Sequence, residues 1–105
     1  MAMSEAFFYA YFEHLKNLHK YNQESKQMFI EIKEACGEEI HKSEFYENYH
    51  LDLNNIIKSL KELKQSVKKS FTKSKYKKKV TLINSFIKEL EYIDKRIYED
   101  FCYSK

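Results

Sequence analysis

The sequence of 105 residues predicts an all-α protein: an antiparallel, up-down-up bundle of three helices, each about 30 residues long. The chain contains one glycine and no proline, although average usage would supply about seven and five per hundred residues. Three long segments repeat apolar residues in alternating steps of three and four, which is the heptad pattern of packed helices. We expect one domain over residues 1–105, with helices at about 4–36, 43–71 and 75–103.

The first helix has clear signals at both ends. Ser4 is the predicted N-cap, Met3 and Phe8 occupy the two hydrophobic-staple positions, and Glu5 lies in the first turn, where a carboxylate is favourable. Gly37 follows the last turn, where a left-handed residue commonly ends a helix. The predicted seam consists of Phe8, Tyr11, Leu15, Leu18, Asn22, Ser25, Phe29, Ile32 and Cys36.

The first helix also carries the features that favour a different architecture. Asn22 and Ser25 form a polar layer in mid-seam, and a break there would produce a four-helix bundle within one chain. No glycine or proline lies nearby, so we expect a continuous helix. Phe7, Tyr9 and Phe12 flank the seam, and this broad aromatic face leaves open a four-helix bundle formed by dimerisation, that is, a homodimer.

The second and third helices show the same periodicity. Ser43 is the predicted N-cap of the second helix, and one of the hydroxyls of Ser70, Thr72 and Ser74 is expected to cap the third. The second seam consists of Tyr46, Tyr49, Leu53, Ile56, Leu60, Leu63 and Val67. The third apolar face consists of Val80, Ile83, Phe86, Ile87, Leu90, Ile93, Ile97 and Phe101.

Charge is sorted along the chain although the net charge is only +3. Residues 1–57 hold five lysines and ten acidic residues, whereas residues 58–79 hold ten lysines and the single acidic residue Glu62. An up-down-up arrangement gathers this basic segment at one end of the bundle, beside the start of the first helix. The opposite end then collects Glu34, Glu38, Glu39, Glu44, Glu47, Glu99 and Asp100.

The basic end is the candidate partner-binding surface. Its predicted residues are Phe7, Tyr9, Lys68, Lys69, Lys73, Lys75, Tyr76, Lys77, Lys78 and Lys79. Lysines neutralise phosphates and aromatic rings stack on exposed bases, so the set suits nucleic acid or another anionic partner. Arg96 is the only arginine, which argues against reading of base sequence. Lysines near a helix C-terminus also complement its dipole and solvate a surface, and this purely structural role stays open.

The sequence offers no pattern typical of catalysis or of metal binding. The four histidines form no pair of the HExxH kind. Cys36, His41, His50 and Cys102 would meet at the acidic end, but their spacings match no zinc-finger pattern. A single glycine is too few for the sharply turned loops that hold nucleophiles and oxyanion donors. We expect no catalytic residue, no bound metal and no cofactor.

These observations predict a class of protein. We expect a cytoplasmic, non-enzymatic protein–protein interaction module, such as a small regulator, inhibitor or immunity protein, that binds a protein partner through a helix face or a charged end. Non-sequence-specific nucleic-acid binding through residues 58–79 and a structural homo-oligomer are the alternatives. No apolar run approaches the roughly 20 residues of a membrane span. The 18 lysines against one arginine suggest an AT-rich genome, as in a low-GC bacterium or its phage.

Overall fold

The computed structural model describes residues 3–100, apart from the side chains of residues 42 and 43. It contains three helices: α1 (Glu5–Ala35), α2 (Lys42–Ser70) and α3 (Lys73–Tyr98). Adjacent helices pack antiparallel into a rod of 55 × 23 × 17 Å, so the predicted three-helix bundle is confirmed. Over the described residues, none of the helices combines the length and the apolar character needed to cross a bilayer.

The ends of α1 follow the predicted signals, whereas Thr72, the N-cap residue of α3, makes no capping hydrogen bond through its side chain. The Ser4 hydroxyl accepts a hydrogen bond from the Phe7 backbone N–H at 3.0 Å and caps α1. Gly37 adopts φ +69°, and its N–H donates to the Glu34 carbonyl, as expected for a left-handed residue after a helix. The start of α2 differs: His41 rather than Ser43 is the N-cap residue, and its side chain makes no capping bond.

The α2 and α3 faces confirm the predicted apolar patterns. In α2 the buried residues are Phe45, Tyr49, Leu53, Ile56, Ile57, Leu60, Leu63 and Val67, which adds Phe45 and Ile57 to the predicted seam. Tyr46 is half-buried at its edge. In α3 the buried apolar residues are Ile83, Phe86, Ile87 and Leu90, with Val80, Ile93 and Ile97 partly buried against the same core. The predicted Phe101 lies outside the described residues.

The α1 seam requires a correction. Its buried residues are Phe8, Phe12, Leu15 and His19, whereas the predicted Leu18 and Ile32 are exposed. The face of α1 that packs against the core therefore differs from the predicted face. The helix is continuous through Asn22, as expected. Leu18 and Ile32 belong to a second apolar stripe, on the solvent side of α1.

Contacts between the helices establish which ends meet. At one end, Lys79 of α3 binds Glu5 of α1. At the other end, Phe29 of α1 stacks on Phe45 of α2, with ring centres 6.2 Å apart. The start of α1 therefore lies beside the start of α3, and the lysines of residues 58–79 gather at that end. The acidic residues of the first connection and of early α2 lie at the opposite end, as predicted from the order of the helices.

Candidate interaction surfaces

Lys79 is the one lysine of the predicted basic surface that points into the bundle. It is only 3% exposed, and its Nζ donates to Glu5 Oε1 at 3.0 Å and to the Lys75 carbonyl at 3.3 Å. The ammonium also lies 4.4 Å from the ring centre of Phe71 and 5.8 Å from that of Phe8. The hydrogen bond from Lys79, and next the charge of Lys79, lower the pKa of Glu5. Lys79 is therefore a structural residue, whereas the other lysines of the predicted surface face the solvent.

The remaining lysines of the predicted surface are exposed, and two of them border an open hollow. Tyr9, Lys77, Lys78, Thr81 and Leu82 line this hollow of about 450 Å³, where the start of α1 meets α3. The structure thus brings one predicted aromatic residue together with two predicted lysines. The lining of the hollow is mostly apolar, and the two lysines belong to its rim residues.

Phe7 and Tyr76 lie apart from that hollow. Phe7 is two residues before Tyr9, and two residues correspond to about 200° around a helix axis. Its ring stacks instead on Tyr11, at 6.0 Å between ring centres. Tyr76 is half-buried and packs against the core. The predicted aromatic set is therefore divided between three environments.

The helix dipole does not favour the lysines at the start of α3. Lys73 and Lys75 lie in its first turns, where the positive end of the helix dipole repels a cation, and no acidic residue occupies the first turn. Lys68 and Lys69 differ, because they lie in the last turn of α2 and complement its dipole. A dipole argument thus accounts for the lysines before the second connection and not for those after it.

A second apolar stripe runs along the solvent side of α1. We name it the α1 outer stripe; it consists of Phe7, Tyr11, His14, Leu18, Tyr21, Ser25, Met28 and Ile32. These positions alternate steps of four and three without a miss, so they form a complete heptad seam. The stripe lies roughly 130° around the axis from the buried face. Tyr21 is 65% exposed and Met28 60% exposed, and apart from the half-buried Tyr11 every member is exposed.

The outer stripe was only partly visible in the sequence. The predicted first seam mixed the two stripes of α1. Its members Tyr11, Leu18, Ser25 and Ile32 belong to the outer stripe, and its other members lie nearer the core. The mixture arose because a step to the neighbouring residue of either series still gives spacings of three and four. The signal that could have separated the two stripes is the second continuous heptad series that begins at Phe7. Two such series on one helix indicate apolar contacts on two sides.

A hydrogen-bonded histidine joins α2 to α3 near the acidic end. His50 Nδ1 lies 2.7 Å from Asp94 Oδ1 and 3.2 Å from the Tyr46 hydroxyl, and its Nε2 lies 2.7 Å from Asn54 Nδ2. Since the Asn54 amide nitrogen donates to Nε2, the Nδ1 atom carries the proton and donates to Asp94. Both ring nitrogens are thus engaged, and the imidazole ties two helices together.

The cysteine and histidine cluster expected at the acidic end is only partly described. Cys36 is a free, exposed thiol, and His41 is exposed in the first connection. His50 is engaged by Asp94, and Cys102 lies outside the described residues. Within residues 3–100, no three histidine, cysteine or acidic side chains are arranged to hold a metal ion.

Comparison of the chain with protein-family models, with curated proteins and with solved structures finds no match in any of the three.

Proposed function

We propose that this chain is a non-enzymatic protein–protein interaction module, of the small regulator, inhibitor or immunity type, that binds an apolar helix along the α1 outer stripe. The supporting observation is that Phe7, Leu18, Tyr21, Met28 and Ile32 are all more than one third exposed on one heptad series. Monomeric proteins rarely expose contiguous apolar patches larger than a few hundred Å².

The geometry of the stripe favours a helix as the bound element. Side chains that repeat every 3.5 residues stay in line with a second helix over many turns, and knobs of one helix then enter holes of the other. The stripe spans 26 residues, or about 37 Å at a rise of 1.5 Å for each of the 25 steps. The stripe winds slowly around α1, by about 20° per heptad, and a second helix that supercoils with α1 can follow it.

Photo-crosslinking tests this proposal directly. A photoreactive phenylalanine analogue replaces Tyr21 or Met28 of the stripe, and in the control it replaces Tyr92, which is 62% exposed on α3. In cells that naturally express the chain, positions 21 and 28 should crosslink to protein in high yield and position 92 should not. Equal yields at all three positions, or no crosslinked protein at the stripe, would refute the proposal.

Non-sequence-specific nucleic-acid binding by residues 58–79 is a second candidate. The exposed lysines of early α3, which oppose their own helix dipole, and the hollow beside Tyr9 favour it. It predicts that affinity for a single-stranded oligonucleotide falls by roughly tenfold or more between 50 and 200 mM salt. The Lys77→Gln/Lys78→Gln variant should bind more weakly than a Lys88→Gln/Lys95→Gln control of equal charge. Binding that is absent at low salt, or equal in both variants, removes this candidate.

A further inference from the structure

We propose that the helix bound along the α1 outer stripe belongs to a second copy of this chain, which lies antiparallel to the first. The inference rests on the proposed function and names the partner for the same surface. Three features of the described residues carry it: the register of the stripe on itself, the charges of the two ends of the rod, and the size of the exposed apolar area.

The stripe is complementary to itself when two copies run in opposite directions. Antiparallel heptads place an a position of one helix opposite a d position of the other. The two-fold register then pairs apolar residues with apolar residues and the two polar members with each other. The four layers, each occurring twice, are Phe7 with Ile32, Tyr11 with Met28, His14 with Ser25, and Leu18 with Tyr21.

The residues flanking the stripe permit this register. Glu24 and Glu31 lie along one flank and would meet the flank of the second copy. In the antiparallel register Glu24 lies opposite Asn17, and Glu31 lies opposite Ala10, so no two carboxylates face each other. A parallel, in-register pair would instead place His14 against His14 and Tyr21 against Tyr21 of the other copy.

The charges of the rod favour the antiparallel pair more strongly. Residues 58–79 place ten lysines against one acidic residue at the end where α1 begins, and Glu5 pairs with one of these lysines, Lys79. The end where α1 finishes carries Glu31, Glu34, Glu38 and Glu39, of which Glu38 pairs with Lys33. Antiparallel pairing of α1 brings the basic end of each copy beside the acidic end of the other, whereas parallel pairing would place two basic ends together.

The exposed area is of the size that a stable dimer needs. The stripe holds five large side chains that are 39–65% exposed, together with Tyr11, His14 and Ser25. With large side chains of about 150–250 Å², the stripe offers on the order of 700 Å² per copy, close to the roughly 800 Å² per partner of a standard interface. A single symmetric contact along α1 is therefore sufficient.

Sedimentation velocity of the purified full chain tests whether the stripe pairs with itself. We expect a dimer at a chain concentration of about 100 µM. The variant Tyr21→Glu should raise the dissociation constant of the dimer at least tenfold. Tyr92→Glu, at an equally exposed tyrosine of α3, should leave the dimer unchanged. Circular dichroism checks that each variant is helical. A monomer at every concentration, or a dimer insensitive to Tyr21→Glu, overturns the proposal.

Cysteine crosslinking tests the direction of the two helices. In a Cys36→Ser/Cys102→Ser background, His14→Cys and Ser25→Cys each place one thiol in the stripe. Antiparallel pairing predicts that a mixture of the two variants forms a disulfide-linked dimer under mild oxidation, whereas neither variant does so alone. Disulfide-linked dimers of each variant by itself would show parallel pairing and overturn the antiparallel assignment.

The two experiments separate this inference from the function on which it rests. A chain that sediments as a monomer but crosslinks from positions 21 and 28 to a different protein overturns the second copy and leaves the interaction module standing. A monomer with no crosslinked protein at those positions overturns both. A crosslinked product of twice the chain mass, together with a dimer in sedimentation, supports the second copy as the occupant of the stripe.

Discussion

The ammonium of Lys79 lies 3.0 Å from the carboxylate of Glu5, inside a cluster that joins all three helices at the basic end. Lys79 belongs to α3 and Glu5 begins α1. Phe71, whose ring centre is 4.4 Å from the ammonium, directly follows α2 as its C-cap residue. The lysine is buried, while Glu5 remains more than half exposed. The pair therefore gives the buried cation its counter-charge at the edge of the core.

Replacing Glu5 by Gln should lower the free energy of unfolding at neutral pH, because it leaves the buried Lys79 ammonium without its carboxylate. The folded protein holds the pKa of Glu5 below its ordinary value of 4.5. The contribution is therefore present above that pH and is lost as the pH falls through the lowered pKa. Urea unfolding of both proteins should show a difference at pH 7 that narrows towards pH 3. An undiminished difference at pH 3 would contradict the ion-pair explanation, and Glu13→Gln on the exposed face is the control.

Burial of His19 predicts a separate acid sensitivity. Burial lowers the pKa of His19, with the Glu89 carboxylate opposing in part, and its Nδ1 has no hydrogen-bond partner. As the pH falls, the unfolded chain therefore takes up a proton at this histidine before the folded chain does. The free energy of unfolding has its full value well above pH 6.5 and decreases as the pH falls below it.

The variant His19→Leu should remove this part of the pH dependence. The free energy of unfolding of the wild-type chain should decrease from pH 7.5 to pH 5.5. Uptake of one proton on unfolding limits this decrease to about 1.4 kcal/mol per pH unit. His19→Leu should flatten the slope, and His14→Gln, at an exposed histidine, should not. If urea unfolding gives the same slope for all three proteins, His19 is not the responsible group.

Two leucines of α2 test the phase of its apolar seam. Leu53 is 1% exposed and Leu51 is 58% exposed, although they lie two residues apart on one helix. Leu53→Ala should destabilise by about 2–5 kcal/mol, because it leaves a cavity in the core. Leu51→Ala should stay within about 0.5 kcal/mol of wild type. Comparable losses in thermal or urea unfolding would mean that the buried side of α2 is wrongly assigned.

Gly37 tests the backbone at the first connection. Its φ of +69° is unfavourable for a residue with a Cβ, yet an added Cβ would have no atom within 4 Å. Gly37→Ala should therefore cost about 1 kcal/mol through backbone strain alone. Gly37→Asn should cost less, since asparagine tolerates left-handed geometry better. A loss for Asn equal to or greater than that for Ala would argue against this explanation.

The sequence predicted the elements whose signals are local. Ser4 and Gly37 mark the ends of α1 because capping depends on a few neighbouring backbone groups. The α2 seam from Tyr49 to Val67 was predictable because only one apolar series continues along that segment. The N-cap of α2 was wrong by two residues, since a helix can begin at His41 without any side-chain cap.

The candidate surfaces were less predictable than the helices. Lysines of residues 58–79 could be assigned to one end from the order of the helices alone. The inward turn of Lys79 could not, since it depends on Glu5, which lies 74 residues away on α1, and on the packing of Phe71 in the second connection. Phe7 and Tyr9 were grouped as neighbours, whereas helix geometry separates their side chains onto different faces.

By itself, the amino-acid sequence determined three helices, their order, their approximate ends and the sorting of charge between the two ends of the rod. Tertiary packing alone decided which stripe of α1 enters the core. Phe8 and Phe7 each begin an apolar series with the same spacing, and periodicity describes angles around one helix without reference to its neighbours. The rotation of α1 against α2 and α3 buries the series that begins at Phe8 and leaves the other in solvent.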